Sequence, residues 1–372
     1  MKKLLFLVMI CFIPLIVGAQ SLSVEVHDGD NNSLSTFNLQ DGSVSFSSSG
    51  MVFNNSGREL SGVDSYGFSP DLSVAGILSQ KSGTQKVTIL NGAGTMLTEY
   101  EVIDYSPTDP SLQIFPLNTG GALVRDNIVS FNLYDSFGNN STTISSGGQS
   151  SGGQVISEVA MDSEGRTIIV FTPQVKNNGS RGSRAGRIDL NRKLDSIYFS
   201  RDRLIKDLQV SGDGQFVVII TEKEGTDDQV LILDKYGNQI NKMESSENLK
   251  SASISADAEY ITVYSEGRAA VYEMLSGKRL GSTSFGSSLI LAHYFTEDEI
   301  LLALSGDMSQ NDKGASNLEF HAIHLGKRAV ERQEFSGTVG FNPALKYYFE
   351  RVAPGRYQLK GANKLLEISA QF

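Results

Sequence analysis

The sequence predicts an all-β chain folded as a β-propeller of four-stranded antiparallel blades, with eight blades favoured over seven. Three features carry that expectation. A unit made of a polar turn, a short apolar run and a second polar hairpin recurs along nearly the whole chain. Consecutive copies lie 41–49 residues apart, which matches the roughly 40–50 residues of a propeller repeat. The chain has 37 glycines and no tryptophan, with Ser and Asn crowded between apolar runs too short for helices.

The turn that opens each unit is clearest at Phe68-Ser69-Pro70-Asp71, Met161–Gly165, Val210–Gly214 and Ile254–Asp257. Weaker copies stand at Leu117–Gly120, Phe295–Asp298 and Phe341–Ala344, and Asp41-Gly42 reads as a shortened one. The runs that follow (Thr167–Phe171, Phe216–Ile220, Tyr260–Tyr264, Ile300–Leu304 and Lys346–Phe349) are short and rich in β-branched and aromatic residues, which predicts buried strands. Hairpin turns come next, at Asn91-Gly92, Asp135–Gly138, Asp234–Gly237, Ser276-Gly277, Leu325-Gly326 and Lys360-Gly361, with Met51–Leu60 and Arg187–Phe199 completing the set. Asp, Asn and Gly supply the local hydrogen bonds and positive φ of tight turns. Two hairpins make one four-stranded blade.

Eight units share residues 20–372 at about 44 residues each. The competing count, seven blades and an N-terminal extension, arises because the first interval, from 41 to 71, is only 30. Ser21–Val26 is the expected strand to pair with the last blade and close the ring, which removes an exposed sheet edge. Two segments break the repeat: Ser141–Gln154 as a flexible loop between blades, and Lys176–Gly186 as a polar insertion within one. The Ser-x-Asp-Gly turn followed by an apolar strand resembles the repeat of YVTN-type and other divergent WD-like bacterial propellers. No Gly-His…Trp-Asp signature, blade-docking tryptophan or sialidase-type Asp box accompanies it.

Met1-Lys2-Lys3, the apolar run Leu4–Val17 and the small residues Val17-Gly18-Ala19 predict a signal peptide over residues 1–19 and a single propeller domain over 20–372. The run is shorter than the roughly 20 residues of a spanning helix, so no transmembrane segment is expected after cleavage. The expected compartment is periplasmic or extracellular. The only cysteine, Cys11, lies in that leader, so the mature chain has neither a disulfide nor a thiolate metal site.

The formal charge of −10 argues against nucleic acid as a partner. The charge is uneven: residues 21–150 hold four basic residues against 13 acids, while Arg181 to Lys206 hold eight against three. Arg181, Arg184 and Arg187, spaced three apart, and then Arg192 are the candidate binding residues, since guanidinium forks hold carboxylates bidentately. An anionic glycan or an acidic protein is the partner class they imply; the competing reading is a solvated loop that balances an acidic molecule.

Other candidates carry less. His321 and His324 lie three apart in an expected strand, so alternation puts them on opposite faces, unsuited to one metal ion. Asp28–Ser33 begins like a calcium loop, but Ser33 and Leu39 stand where an EF-hand needs glycine and a bidentate acid. Asp227-Asp228 reads as a solvated hairpin tip. No nucleophile elbow or phosphate loop is present. The expected function is an exported, non-enzymatic binding or scaffolding propeller for a protein or glycan partner, with no cofactor. The alternative is a propeller hydrolase or lyase with a carboxylate or metal site in the central channel.

Overall fold

A computed structural model describes residues 20–26, 36–47, 50–102, 104–145, 156–177, 180–188, 193–310, 313–342 and 344–372. Within them, antiparallel strands form eight sheets arranged as the blades of a propeller. Seven blades follow the chain: I (36–61), II (63–101), III (113–145), IV (158–200), V (204–245), VI (249–284) and VII (289–335). The eighth joins 348–371 to Ser21–Val26 from the other end of the chain. Strands in blades I–VII pair in sequence order, and first strands of neighbouring blades touch at several junctions, as Gln113–Pro116 does with Val63–Phe68 and Leu204–Val210 with Leu249–Ile254.

Burial explains why each strand reads as it does. Second strands are covered on both faces by the next blades, so Phe216–Glu222 and Ile300–Met308 are almost continuously buried and almost continuously apolar. Fourth strands face solvent on the outside and alternate, as in Gln239–Ser245 and Arg279–Ser284. Apolar clusters lie between successive blades: Val218, Ile232, Ile261 and Met274 join V to VI, and Tyr264, Val271, Leu301 and Ile323 join VI to VII.

The repeating turn has one geometry in three blades. Ser69, Ser211 and Ser255 each donate Oγ to an Asp two residues on, at 2.6, 2.5 and 2.5 Å. Each Oγ also accepts the backbone N–H five residues on, from Val74, Phe216 and Tyr260, at 2.9, 2.9 and 3.0 Å. The residue after each Asp is left-handed: Leu72, Gly214 and Ala258 have φ of 61°, 70° and 55°. Turns of successive blades also bond to one another, as Asn118 Nδ2 reaches both Asp71 Oδ2 (3.1 Å) and Ser163 O (3.0 Å).

The ring closes where the sequence places the closure. Ser21–Val26 pairs in register with Leu366–Gln371, from Ser21↔Gln371 to Val26↔Leu366. Asp298 of blade VII ties blade VIII from the other side, accepting from Arg351 Nε (2.7 Å) and Nη2 (2.9 Å) and from Tyr357 OH (2.7 Å).

Two expectations need correction. Lys176–Gly186 is not an insertion between two strands but part of them, because Ile168–Asn177 and Ser180–Ile188 continue as one long hairpin, paired up to Asn177↔Ser180. The last unit does not resume its strand at Lys346; the strand is Tyr348–Ala353. Its turn lacks the Ser/Asp pair of blades II, V and VI, and Phe341, Asn342 and Ala344–Tyr347 enter the channel instead. There Asn342 Nδ2 meets Tyr66 OH of blade II at 3.4 Å, and Lys346 Nζ meets Gln209 Oε1 of blade V at 3.4 Å. The leader, Asp28–Ser33 and most of Ser141–Gln154 (all but Ser141–Ser145, which are strand) lie outside the described residues.

Closure makes Ser21–Val26 structural. Leu22, 7% exposed and packed against Tyr357 and Ile368 in the VII–VIII cluster, is expected to cost about 2 kcal/mol on Leu22→Ala. Deleting 20–26 uncovers the edge of Leu366–Gln371, so size-exclusion chromatography should then show concentration-dependent self-association.

Candidate functional site

The four candidate arginines do not form one patch. Arg184 and Arg187 lie on the third strand of blade IV, where alternation turns residues three apart to opposite faces. Arg187 faces blade V: its guanidinium carbon sits 4.9 Å from the Tyr236 ring centroid, and Nη2 lies 3.6 Å from Asp195 Oδ2. Arg184 faces blade III, level with Thr172 and Phe199 on the flanking strands. Arg181 pairs with Lys176 in the long hairpin, and Arg192 is outside the described residues.

The channel gathers more chemistry than the arginines do. First strands direct Glu158, Asp207 and Gln209, Ser251 and Ser253, and His293 towards the axis. Asp207 accepts from Gln209 Nε2 (2.9 Å), Ser251 Oγ (2.7 Å) and the Ala252 N–H (3.0 Å). Ser253 Oγ donates to Ala292 O at 2.8 Å and lies 3.2 Å from His293 Nδ1. At the III–IV wall the buried Arg125 is fully used: Nε to Ser111 O (2.6 Å), Nη1 to Ser157 O (2.5 Å) and Nη2 to Gln113 Oε1 (2.9 Å).

Enclosure shifts the charges of this lining. Glu158 and Lys346 are reached by water yet walled by protein, so burial pushes the Glu158 carboxyl up and the Lys346 ammonium down. Arg125 opposes the first shift and Asp207 the second. Burial, helped by Lys346, pushes His293 down to about 4. Ser253 gives its proton to a backbone carbonyl and not to His293, so these two do not pair as a nucleophile with its base. Among the described residues, no three His, Cys, Asp or Glu side chains are placed to hold a metal ion.

Two cavities open into the channel from the side of the long hairpins. The larger, about 1010 Å³, is lined by Phe37, Phe46, Tyr66, Gln113, Asp307, Lys313, Phe341 and Asn342, among others. Its aromatic corner is built across blades I and II, with ring centroids 5.7 Å apart for Phe37–Phe46 and 4.9 Å for Phe46–Tyr66. The smaller, about 610 Å³, is lined by Lys250, Glu266, Ile290 and Tyr347, and shares Asp307, Met308, Phe341 and Asn342 with the first. These lining residues come from five blades and from the segment that leads into blade VIII, so no linear motif marks them. Lys346 had one legible signal, the departure of Phe341–Ala344 from the turn pattern.

Two other readings meet the structure here. His321 is buried against the Phe285 ring (4.8 Å) with Nε2 2.9 Å from Ser305 Oγ, whereas His324 faces Phe372 on the opposite side of the strand (5.5 Å). Asp228 is not at a solvated tip: it is buried, and its Oδ2 accepts Lys206 Nζ (3.0 Å) and the Leu249 N–H (2.8 Å).

No protein-family model and no curated protein matches the sequence. The fold is that of solved propellers. KlHsv2 with loop 6CD replaced by a Gly-Ser linker aligns with 83% of this chain and 97% of its own, at 9% identity and a TM-score of 0.52. Hsv2 of Kluyveromyces marxianus aligns over 80% and 88%, at 11% identity and 0.50. KlAtg21, in a complex with the coiled coil of AgAtg16, aligns over 84% and 95%, at 13% identity and 0.52.

The buried histidines set an acid limit. His293 and His321 are both pushed down to about 4 by burial, so the unfolded chain takes up their protons first as pH falls below about 6.5. Stability is full above that pH and is lost between about 6.5 and 4, at up to about 1.4 kcal/mol per pH unit for each histidine. Urea melts of His293→Gln with His321→Gln should show that slope flattened, leaving only the carboxylate loss below about pH 4.

Proposed function

We propose that the chain is an exported binding propeller of the divergent YVTN-like kind, and that it seats a protein or glycan partner at the channel mouth. The observation that carries this reading is the 1010 Å³ cavity. It is a large concave site with an aromatic side of Phe37, Phe46, Tyr66 and Phe341 and a polar side that includes Gln113, Asp307, Lys313 and Asn342. That is the chemistry of a recognition pocket. Aromatic rings held edge-on and offset by neighbouring rings lose little freedom on binding, and they offer apolar area to a sugar face or a side chain.

A rigid ring favours this use further. The first strands are braced on both sides, so loops at the mouth are presented from fixed positions. KlAtg21 is solved with a coiled coil bound, and a helical protein segment is accordingly one partner shape to test here.

Export is read from the leader. Full-length chain expressed in a Gram-negative host should yield a mature protein beginning at Gln20, read by mass spectrometry of the N-terminal peptide; retention of Met1 would sink this part of the proposal. For the site, immobilised mature chain is expected to capture members of peptide and oligosaccharide arrays. Phe46→Ala should weaken the strongest by about tenfold or more, the scale of a truncated aromatic anchor. Binders indifferent to Phe46→Ala and Tyr66→Ala would move the site elsewhere.

A further inference from the structure

The apolar side chains that water reaches are gathered on one rim of the ring. Turns joining third to fourth strands present Phe137 of blade III, Tyr236 of blade V and Leu275 of blade VI, which are 84%, 62% and 62% exposed. The fourth strands of blades II, V, VI and VII begin with the exposed Met96 and Leu97, Ile240, Leu280 and Val330. Eight of the eleven large apolar side chains exposed among the described residues thus sit at this rim, whereas the scatter ordinary for a protein surface would divide them between both faces. Backbone bonds from Lys235 N–H to Gln215 O (2.8 Å), Met274 N–H to Glu259 O (2.7 Å) and Leu325 N–H to Glu299 O (3.0 Å) set these turns beside the Ser-x-Asp turns. That face is the one opposite the long hairpins and the channel mouth.

Two of the turns are built alike. Asp135 accepts the Phe137 and Asn139 N–H groups, both at 2.9 Å, and Asn139 Nδ2 at 2.9 Å. Asp234 repeats this with the Tyr236 and Asn238 N–H groups, both at 2.9 Å, and Asn238 Nδ2 at 2.7 Å. Gly138 and Gly237 take the left-handed position of each, with φ of 81° and 88°. Each Asp-x-aromatic-Gly-Asn turn therefore holds a ring out in water on a fixed backbone.

The same turns carry cations. Lys235, Lys278, Arg279 and Arg328 form no ion pair among the described residues, whereas Lys86, Lys206, Lys223 and Arg268 elsewhere all meet carboxylates. The neighbouring acids are engaged within their own turns, Asp234 as above and Glu273 with Ser276 Oγ at 2.6 Å. Apolar tips set among unpaired cations match an interface of anionic headgroups over acyl chains. Equivalent positions in a ring share one height along its axis, so tips from several blades meet a plane together. A second copy fits poorly, because rim against rim opposes like charges.

We propose that this rim seats the chain on an anionic lipid surface. Phe137, Tyr236 and Leu275 enter the headgroup layer, and Lys235, Lys278, Arg279 and Arg328 lie among the phosphates. The channel mouth then faces away from the lipid, and the docking is independent of the function proposed for that mouth.

The chain has no tryptophan, so Phe137→Trp and Phe199→Trp each supply a sole reporter. Phe199 stands near the far end of the fourth strand of blade IV, exposed on the other face. Mixed phosphatidylglycerol and phosphatidylethanolamine vesicles should shift the Phe137→Trp emission to the blue and leave that of Phe199→Trp in place. Phosphatidylcholine vesicles should shift neither. In flotation of the mature chain with the anionic vesicles, Phe137→Ser should lower partition about tenfold. Lys278→Gln should lower it about fivefold, and added salt should weaken the parent. The proposal is overturned by no partition into the anionic vesicles, equal partition into phosphatidylcholine, a Phe137→Ser variant that floats like the parent, or an equal blue shift at position 199. An acidic protein held through Phe137 and Lys278 by a chain that ignores vesicles would also overturn it, making the rim a protein-docking face.

Discussion

Pairing of Ser21–Val26 with Leu366–Gln371 is the constraint on which the other blades depend. A propeller blade is apolar on both faces, so it is stable only between two neighbours. In an open row the first and last blades would each leave one such face in water. Joining the chain ends within one sheet gives every blade two neighbours, and the VII–VIII cluster, with Leu22, Phe320, Tyr357 and Ile368, is packed like those between consecutive blades. Asp298 adds polar ties across the same junction, and its carboxyl is held below the usual range chiefly by the hydrogen bond from Arg351.

Within that ring, the Ser-x-Asp turns keep the blades alike. The serine hydroxyl both donates and accepts, so the aspartate two residues on and the N–H five residues on are satisfied by one side chain. That geometry fixes how far the second strand is offset from the first, and hence which residues face each neighbour. Where Gly is missing from the left-handed position, as at Leu72 and Ala258, the packing and the hydrogen bonds hold a backbone that L-residues otherwise avoid.

Much of this was legible in the sequence because it is local. Second strands are contiguous apolar runs, and turns require particular residue types; blade period and closing strand follow from those two signals. Fourth strands such as Gln239–Ser245 alternate polar residues and carry weaker signals. The site was less legible because convergence is not local. Gln113, Tyr66, Asp307 and Asn342 come together only through ring geometry. The alternation that separates His321 from His324 separates Arg184 from Arg187 as well. Burial of Asp228 depends on Lys206 and on Leu249 of the next blade, which sequence spacing does not report.

The excursion of Phe341, Asn342 and Ala344–Tyr347 turns a wheel with an open hub into one with a spoke. Asn342 touches the blade II wall and Lys346 the blade V wall, so blades distant in the ring are braced through the axis as well as around the circumference. The hub is consequently no bore. It is divided into two antechambers that share Phe341 and Asn342 as a common partition. A guest in one chamber therefore presses on the wall of the other.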